Sequence, residues 1–165
     1  VKIISHILGK EYSTVKIIDH RFFKQWGFSV HFTSPTLSYS EAFAGSGETA
    51  IMVLIHRIHN IKTNSLLLLD EPEVSLHPGA QIRLRNYLID QIKIKKLQVI
   101  ISTHSPFFID GMPENAIKVF STNSKGEFYI ENKMNPKEAF YELEVENEKI
   151  NIKRSHCNCI TSFMR

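Results

Sequence analysis

The sequence predicts an α/β fold in which a mostly parallel sheet is flanked by helices. Two short apolar runs carry this reading: Ser65–Asp70, with four consecutive leucines, and Leu97–Ser102. Continuous apolar runs of this length are expected of strands buried on both faces. Between them, His77-Pro78 opens a segment that places Leu84, Leu88 and Ile92 on one stripe, the spacing of a helix with one buried face. Strand, helix, strand in that order is the pattern of parallel neighbours joined by a crossover helix.

The other elements follow along the chain. An apolar stretch at the start stops at Gly9, and a glycine just past such a run commonly ends a helix. Residues 13–20 and 26–33 are rich in Val, Ile and aromatics on either side of Lys24 and Gln25, which predicts two strands forming a hairpin. Phe22, Phe23, Trp26 and Phe28 read as core or sheet-packing aromatics. Ser34-Pro35 breaks the pattern. Ala42–Glu48 is a loop of small residues, and from Glu48 a helix follows with Ile51, Leu54, Ile55 and Ile58 on one face. On that helix His56 and His59 read as part of an exposed face rather than as a ligand pair. Lys93–Lys96 reads as a solvated helix end. Residues 116–120 and 127–131 predict two more strands around the turn at Asn123–Gly126.

Composition narrows the class of protein. A hydrophobic content of 42% is enough for a buried core, and a net charge of +3 is too small to argue for nucleic acid by itself. The two cysteines, Cys157 and Cys159, make no disulfide framework, which fits a reducing cytoplasm. No apolar run approaches the roughly 20 residues that span a bilayer. No basic-then-apolar leader opens the chain, so no membrane association is expected. Beyond residue 135 the character changes. Glu138, Glu142, Glu144, Glu146 and Glu148 are followed by Lys149, Lys153, Arg154 and Arg165. The expected division is therefore a lobe over residues 1–135 and an acidic-then-basic tail over 136–165, read either as the start of a further domain or as a disordered end. His156, Cys157 and Cys159 are an incomplete set for structural zinc and read as incidental.

Three motifs carry chemistry. In Leu66-Leu67-Leu68-Leu69-Asp70-Glu71-Pro72, two carboxylates end a strand, and ligands of open α/β sheets collect at the carboxyl ends of strands. An aspartate there can hold Mg²⁺, which wants hard oxygen ligands, and a neighbouring glutamate can take a proton from an attacking water. In Ser102-Thr103-His104-Ser105, a histidine follows the next apolar strand, so parallel pairing would bring His104 near Asp70 and Glu71. In Ala44-Gly45-Ser46-Gly47-Glu48, a helix start exposes backbone N–H groups that attract phosphate. Taken singly, each also fits a bland account: a charged turn, a capped loop, an ordinary helix cap. Their order and spacing make one pattern.

That pattern resembles the ABC-type ATPases, and within them the branch of SMC-like, recombination-repair and OLD-like proteins. Gly45-Ser46-Gly47-Glu48 resembles the signature motif, Leu66–Glu71 resembles Walker B, and Ser102-Thr103-His104 resembles the switch-histidine loop. The longer strings Asp70-Glu71-Pro72-Glu73-Val74-Ser75-Leu76-His77-Pro78 and Ser102-Thr103-His104-Ser105-Pro106 look most like OLD-like and Septu-type bacterial defence ATPases. The resemblance covers roughly residues 36–120. It implies the C-terminal lobe of an ABC-type P-loop ATPase acting on ATP. Asp70 would organise Mg²⁺, Glu71 would activate water, and His104 would contact the γ-phosphate. Ser46, Gly47 and Glu48 would face a nucleotide bound on a second subunit, with residues 73–78 crossing between the two copies of a homodimer.

The chain departs from the family in three places. Gly45 stands where transporter signatures have serine, with Ser46 one place later. The transporter aspartate after Walker B is replaced in the region of Leu76-His77, as is common in the OLD-like branch. Gln25 lacks the surroundings of a glutamine-loop residue. An absence matters more: none of the seven glycines begins the Walker A string G-x-x-x-x-G-K-[ST], whose backbone cradle and lysine grip the phosphates. A separate or preceding N-terminal lobe is therefore expected to supply Walker A, and the chain alone is expected not to hydrolyse ATP. The expected function is ATP-driven gating of a DNA-directed or nuclease system for defence or repair. The alternative is a split half that docks without catalysing. A nuclease within this chain is not expected, because no aspartate follows Asp110 and His156 is the one histidine after His104.

Overall fold

The computed structural model describes residues 1–22, 25–122, 125–141 and 160–164, with backbone alone described for Phe22, Gln25, Trp26 and 160–164. The chain forms two compact units. The first comprises Val1–Ile61 and Ser75–Leu84, and the second Lys62–Val74 and Arg85–Arg165.

In the first unit, helix α1 (Lys2–Leu8) buries Ile4 and Ile7 and ends at Gly9, whose φ of 66° is the left-handed conformation a helix stop needs. Arg83 anchors this end by donating from Nε to the Ile7 carbonyl at 2.9 Å. Strands β1 (Thr14–Phe22) and β2 (Gln25–Thr33) pair antiparallel from Thr14↔Thr33 to Phe22↔Gln25, the hairpin expected from sequence. Strand β3 (Ser38–Ser40) adds to β2 to complete a three-stranded sheet in the order β1-β2-β3. Alternation gives the sheet an inner face, which carries the fully buried Val30 and Phe32 and, toward the hairpin end, the partly exposed Phe28, and an outer face, where Ile18 is exposed. At 43% exposure Phe28 is not a core residue, and of the two roles expected its position fits that of a sheet-face aromatic. The side chains of Phe22, Phe23, Gln25 and Trp26 lie outside the described residues. Helix α2 (Ser46–Asn60) starts two residues earlier than the sequence suggested and buries Ile51, Met52, Ile55 and Ile58 along one stripe. His56 and His59 lie exposed on it, as expected.

The second unit holds a five-stranded sheet in the order β4-β5-β8-β6-β7. Its strands are β4 (Leu66–Asp70), β5 (Gln98–Thr103), β6 (Ile117–Thr122), β7 (Phe128–Asn132) and β8 (Ile160–Met164). Helix α3 (Pro78–Lys95) begins in the first unit and ends in the second, burying Leu84, Leu88 and Ile92. The short helix α4 (Pro106–Ile109) follows β5 and is tied down by Arg85, which donates to the carbonyls of Phe107 and Asp110.

Two expectations are corrected here. The sheet is mixed rather than mostly parallel: β4 and β5 pair parallel from Leu66↔Gln98 to Asp70↔Ser102, but β5–β8, β8–β6 and β6–β7 are antiparallel. The reason is topological. One crossover helix joins β4 to β5, whereas a short turn joins β6 to β7 and can only make a hairpin. And β4 is not buried on both faces. It lies at the sheet edge, with Leu66 54% and Leu68 67% exposed. Residues 160–164, expected in a tail, run as a strand between β5 and β6. Cys157, Cys159 and His156 lie outside the described residues.

Candidate functional site

The register of β4 against β5 builds the first group of side chains. Because Asp70 pairs with Ser102, both strands end at the same level, and the residues that follow them meet. The Ser102 hydroxyl donates to Asp70 Oδ1. The backbone N–H of Glu71 donates to the Ser102 carbonyl at 3.0 Å, carrying the ladder one residue past the strand. Glu71 then takes a φ of 41°, a left-handed conformation costly for a residue with a side chain. The sharp reversal turns its carboxylate to the imidazole of His104, with Oε1 and Nε2 at 3.2 Å. Both side chains remain about two-fifths exposed, at 40% and 41%, so water and a substrate can reach them.

Asp70 is exposed and keeps an oxygen beyond the one that Ser102 engages. One carboxylate, a hydroxyl and an adjacent second carboxylate are a hard-oxygen set that suits Mg²⁺, which is usually held by one or two carboxylates, waters and substrate phosphates. No cluster of three or more His, Cys, Asp or Glu able to form an all-protein cage occurs among the described residues.

Beneath this surface lies a buried layer that sequence reasoning missed. Glu73 is 5% exposed, and its Oε1 accepts from the Thr103 hydroxyl and from the backbone N–H of His104 at 3.3 Å. Thr103 is fully buried and accepts from the Ser105 N–H at 3.1 Å. No local signal marks Glu73: it lies in the turn after β4, where strand alternation no longer applies, and its burial comes from the approach of the Thr103–His104 backbone.

The second group belongs to the first unit. Ser46 is the exposed first residue of α2, its N-terminal amides unconstrained by a side-chain cap. Gly47 is buried against the loop that precedes α3. A Cβ built there would lie 2.6 Å from the Ser75 carbonyl oxygen and 3.0 Å from Leu76 Cδ2. Only glycine lets the helix approach that backbone.

Glu48 differs from the nucleotide-facing group expected. It is 5% exposed and turned into the protein, where Oε1 accepts from the hydroxyls of Tyr12 and Tyr39 (2.6 Å for Tyr39) and lies 3.5 Å from Lys10 Nζ. Its Oε2 accepts from the Gly45 N–H at 3.2 Å, the half of a capping box that a glycine N-cap permits. Burial alone would raise its carboxyl pKa. The Tyr12 and Tyr39 hydroxyls, then Lys10 and the Gly45 amide, more than offset that and hold it below the ordinary value. Burial, then the hydrogen bond to Glu48 and its negative charge, push both tyrosines the other way. Nothing local in the sequence pairs Tyr12 with Glu48, 36 residues away.

The structure therefore brings Asp70, Glu71 and His104 together in one unit, and places Ser46, Gly47 and Glu48 together in the other. Two acids at the end of β4 thus face a histidine that follows the neighbouring parallel strand β5. Residues 8–109 match the AAA ATPase domain family, and the chain belongs to it. It is similar to the Septu protein PtuA of Bacillus mycoides (strain KBAB4), at 29% identity over 90 residues. That match takes in 54% of this chain but 12% of PtuA, so the chain spans a small part of that relative. It is also similar to a solved structure from work on ATP-driven dimerization and DNA-stimulated activation of SMC ATPases. The TM-score is 0.61 at 16% identity, covering 94% of this chain and 89% of the other. At that identity the likeness shows the fold. The family is one of ATPase domains, whose nucleotide is usually accompanied by a divalent ion.

Proposed function

We propose that this chain is the C-terminal half of a dimeric ABC-type ATPase, and that its hydrolytic site is built on Asp70, Glu71 and His104. The observation that carries the reading is the Glu71–His104 contact at 3.2 Å, directly beside the Asp70–Ser102 bond. Glu71 is placed to take the proton of a water attacking the γ-phosphorus of ATP, since one carboxylate oxygen remains beyond the one His104 engages. His104, beside it, can donate to the γ-phosphate oxygens as the bond to the leaving ADP breaks. Asp70 would hold Mg²⁺. When bound, that ion supplies charge neutralisation on the phosphates.

Ser46 and Gly47 are proposed to present the α2 amides to a nucleotide on a second copy, with Glu48 bracing the loop from behind. Phe43, 86% exposed just ahead of that loop, gives such a face an aromatic anchor. The phosphate-gripping loop is proposed to come from a Walker A-containing N-terminal lobe, on the same or a separate chain. Likeness to a Septu protein and to SMC ATPases supports a role in a DNA-directed or defence system, with DNA and a nuclease as candidate partners. No helix among the described residues is long and apolar enough to cross a membrane, and a cytoplasmic setting is proposed.

The test is Mg-ATP hydrolysis by the chain alone and mixed with a Walker A-bearing lobe. The expected result is silence alone and hydrolysis in the mixture. Glu71→Gln should then lower kcat by about 100-fold or more while ATP still binds. Unchanged hydrolysis in that variant would overturn the assignment of Glu71. The missing Walker A string favours one second reading, a half that docks without catalysing. A mixture that associates yet hydrolyses nothing would select it.

A further inference from the structure

Glu73 has no part in the chemistry just described, yet it is among the few charged side chains that the described residues bury. Its Oε1 takes two hydrogen bonds, and its Oε2 is buried with no partner. A buried carboxylate that is only half satisfied is costly, and an apolar side chain would fill the same space more cheaply. Stability therefore does not account for it, whereas position does. The two donors are the Thr103 hydroxyl and the backbone N–H of His104, one on each side of the Thr103–His104 peptide. Thr103 uses the same hydroxyl to accept from Ser105, so the backbone is pinned on both flanks of His104. At its other end, Glu73 sits in the turn closed by the Val74 N–H donating to the Glu71 carbonyl at 3.1 Å. That turn includes the left-handed Glu71.

We infer that Glu73 is a positioning residue: its carboxylate clamps the Thr103–Ser105 loop onto the acidic turn, and so sets the distance at which His104 meets Glu71. The clamp acts through Thr103 and the His104 amide and touches no substrate. This rests on the proposed hydrolytic site for its catalytic consequence, but the clamp itself is a property of the chain alone and can be tested there. Glu73→Gln keeps an acceptor oxygen and Thr103→Ser keeps the hydroxyl, whereas Glu73→Ala and Thr103→Val remove one side of the contact. Valine is close to threonine in shape, so that variant keeps the test open if Glu73→Ala does not fold.

Two readouts separate the clamp from the catalytic reading. The first is hydrogen exchange of the His104 amide in the 165-residue chain, followed by NMR. Glu73→Ala should speed exchange by about tenfold or more, and Glu73→Gln should leave it near wild type. The second is steady-state ATP hydrolysis in the assembly with the Walker A lobe. There kcat should fall about tenfold or more in Glu73→Ala and Thr103→Val. It should stay within about threefold of wild type in Glu73→Gln and Thr103→Ser, with KM for ATP nearly constant throughout. The inference is overturned if His104 exchange ignores Glu73, if the conservative variants are as damaged as the deletions, or if KM moves with kcat. An assembly that hydrolyses no ATP even as wild type would sink the catalytic reading, and the amide exchange would still decide the clamp.

Discussion

Gly47 shows how little room a single site can leave. With the Ser75 carbonyl 2.6 Å from where a Cβ would sit, Gly47→Ala must move backbone rather than a flexible side chain. Overpacking of that kind costs about 1–3 kcal/mol. A lower melting temperature of the chain, with α2 still helical by circular dichroism, is the expected outcome; an unchanged melt would mean the loop yields freely. Glu48 makes a prediction in pH. Its folded carboxyl binds a proton less readily than the ordinary value of 4.5, so in acid the unfolded chain takes up more protons than the folded one. Its contribution is therefore fully present above that ordinary value and is lost as pH falls through the depressed folded one. Melts of wild type between about pH 3 and pH 7 should show stability falling toward acid, and Glu48→Gln should flatten part of that fall. An identical pH dependence in the variant would show that the tyrosine–glutamate cluster does not carry it.

Among the elements, those with strong local periodicity were legible in the sequence. The Gly9 helix stop, the β1–β2 hairpin, α2 and the Leu84-Leu88-Ile92 stripe of α3 all appear where the pattern put them, because each is dictated by neighbours within one or two turns of the chain. The four leucines of β4 misled for a definable reason. An apolar run says that a strand can be buried on both faces, but not that the elements needed to cover it are at hand. Leu66 and Leu68 share a face with Asp70, since all three lie at alternate positions of one strand. Under the proposed function, the lobe that brings a phosphate-gripping loop to Asp70 lies along that face and covers these leucines. Leu68→Lys should then weaken association with the Walker A lobe by about tenfold, the order expected from losing one buried leucine, and leave the melting of the chain alone nearly unchanged. Association measured by calorimetry or gel filtration checks this, and undiminished binding would place the lobe elsewhere.

For the whole molecule, local signals and assembled geometry divide along a clear line. The sequence by itself determined the chemistry: which residues are acids, where the histidine falls, that each follows a strand or opens a helix, and that no phosphate-gripping string is present. These are properties of residue type and spacing, and they survive any arrangement of the elements. Parallel pairing let the sequence bring His104 near the acids, but only the tertiary structure decided the contacts each residue makes. The level pairing of Asp70 with Ser102 follows from strand register, and a slip of one residue would have pointed His104 and the acids to different faces. Glu48 shows the same limit. Its place at a helix start suggested a group facing ligand, and the long-range approach of Tyr12 and Tyr39 turned it inward. Glu73 was one unremarked acid in an acidic string until burial set it beneath His104. Burial and hydrogen bonding between residues about 30 or more positions apart depend on how the elements pack, and packing is not written in any local window of the chain.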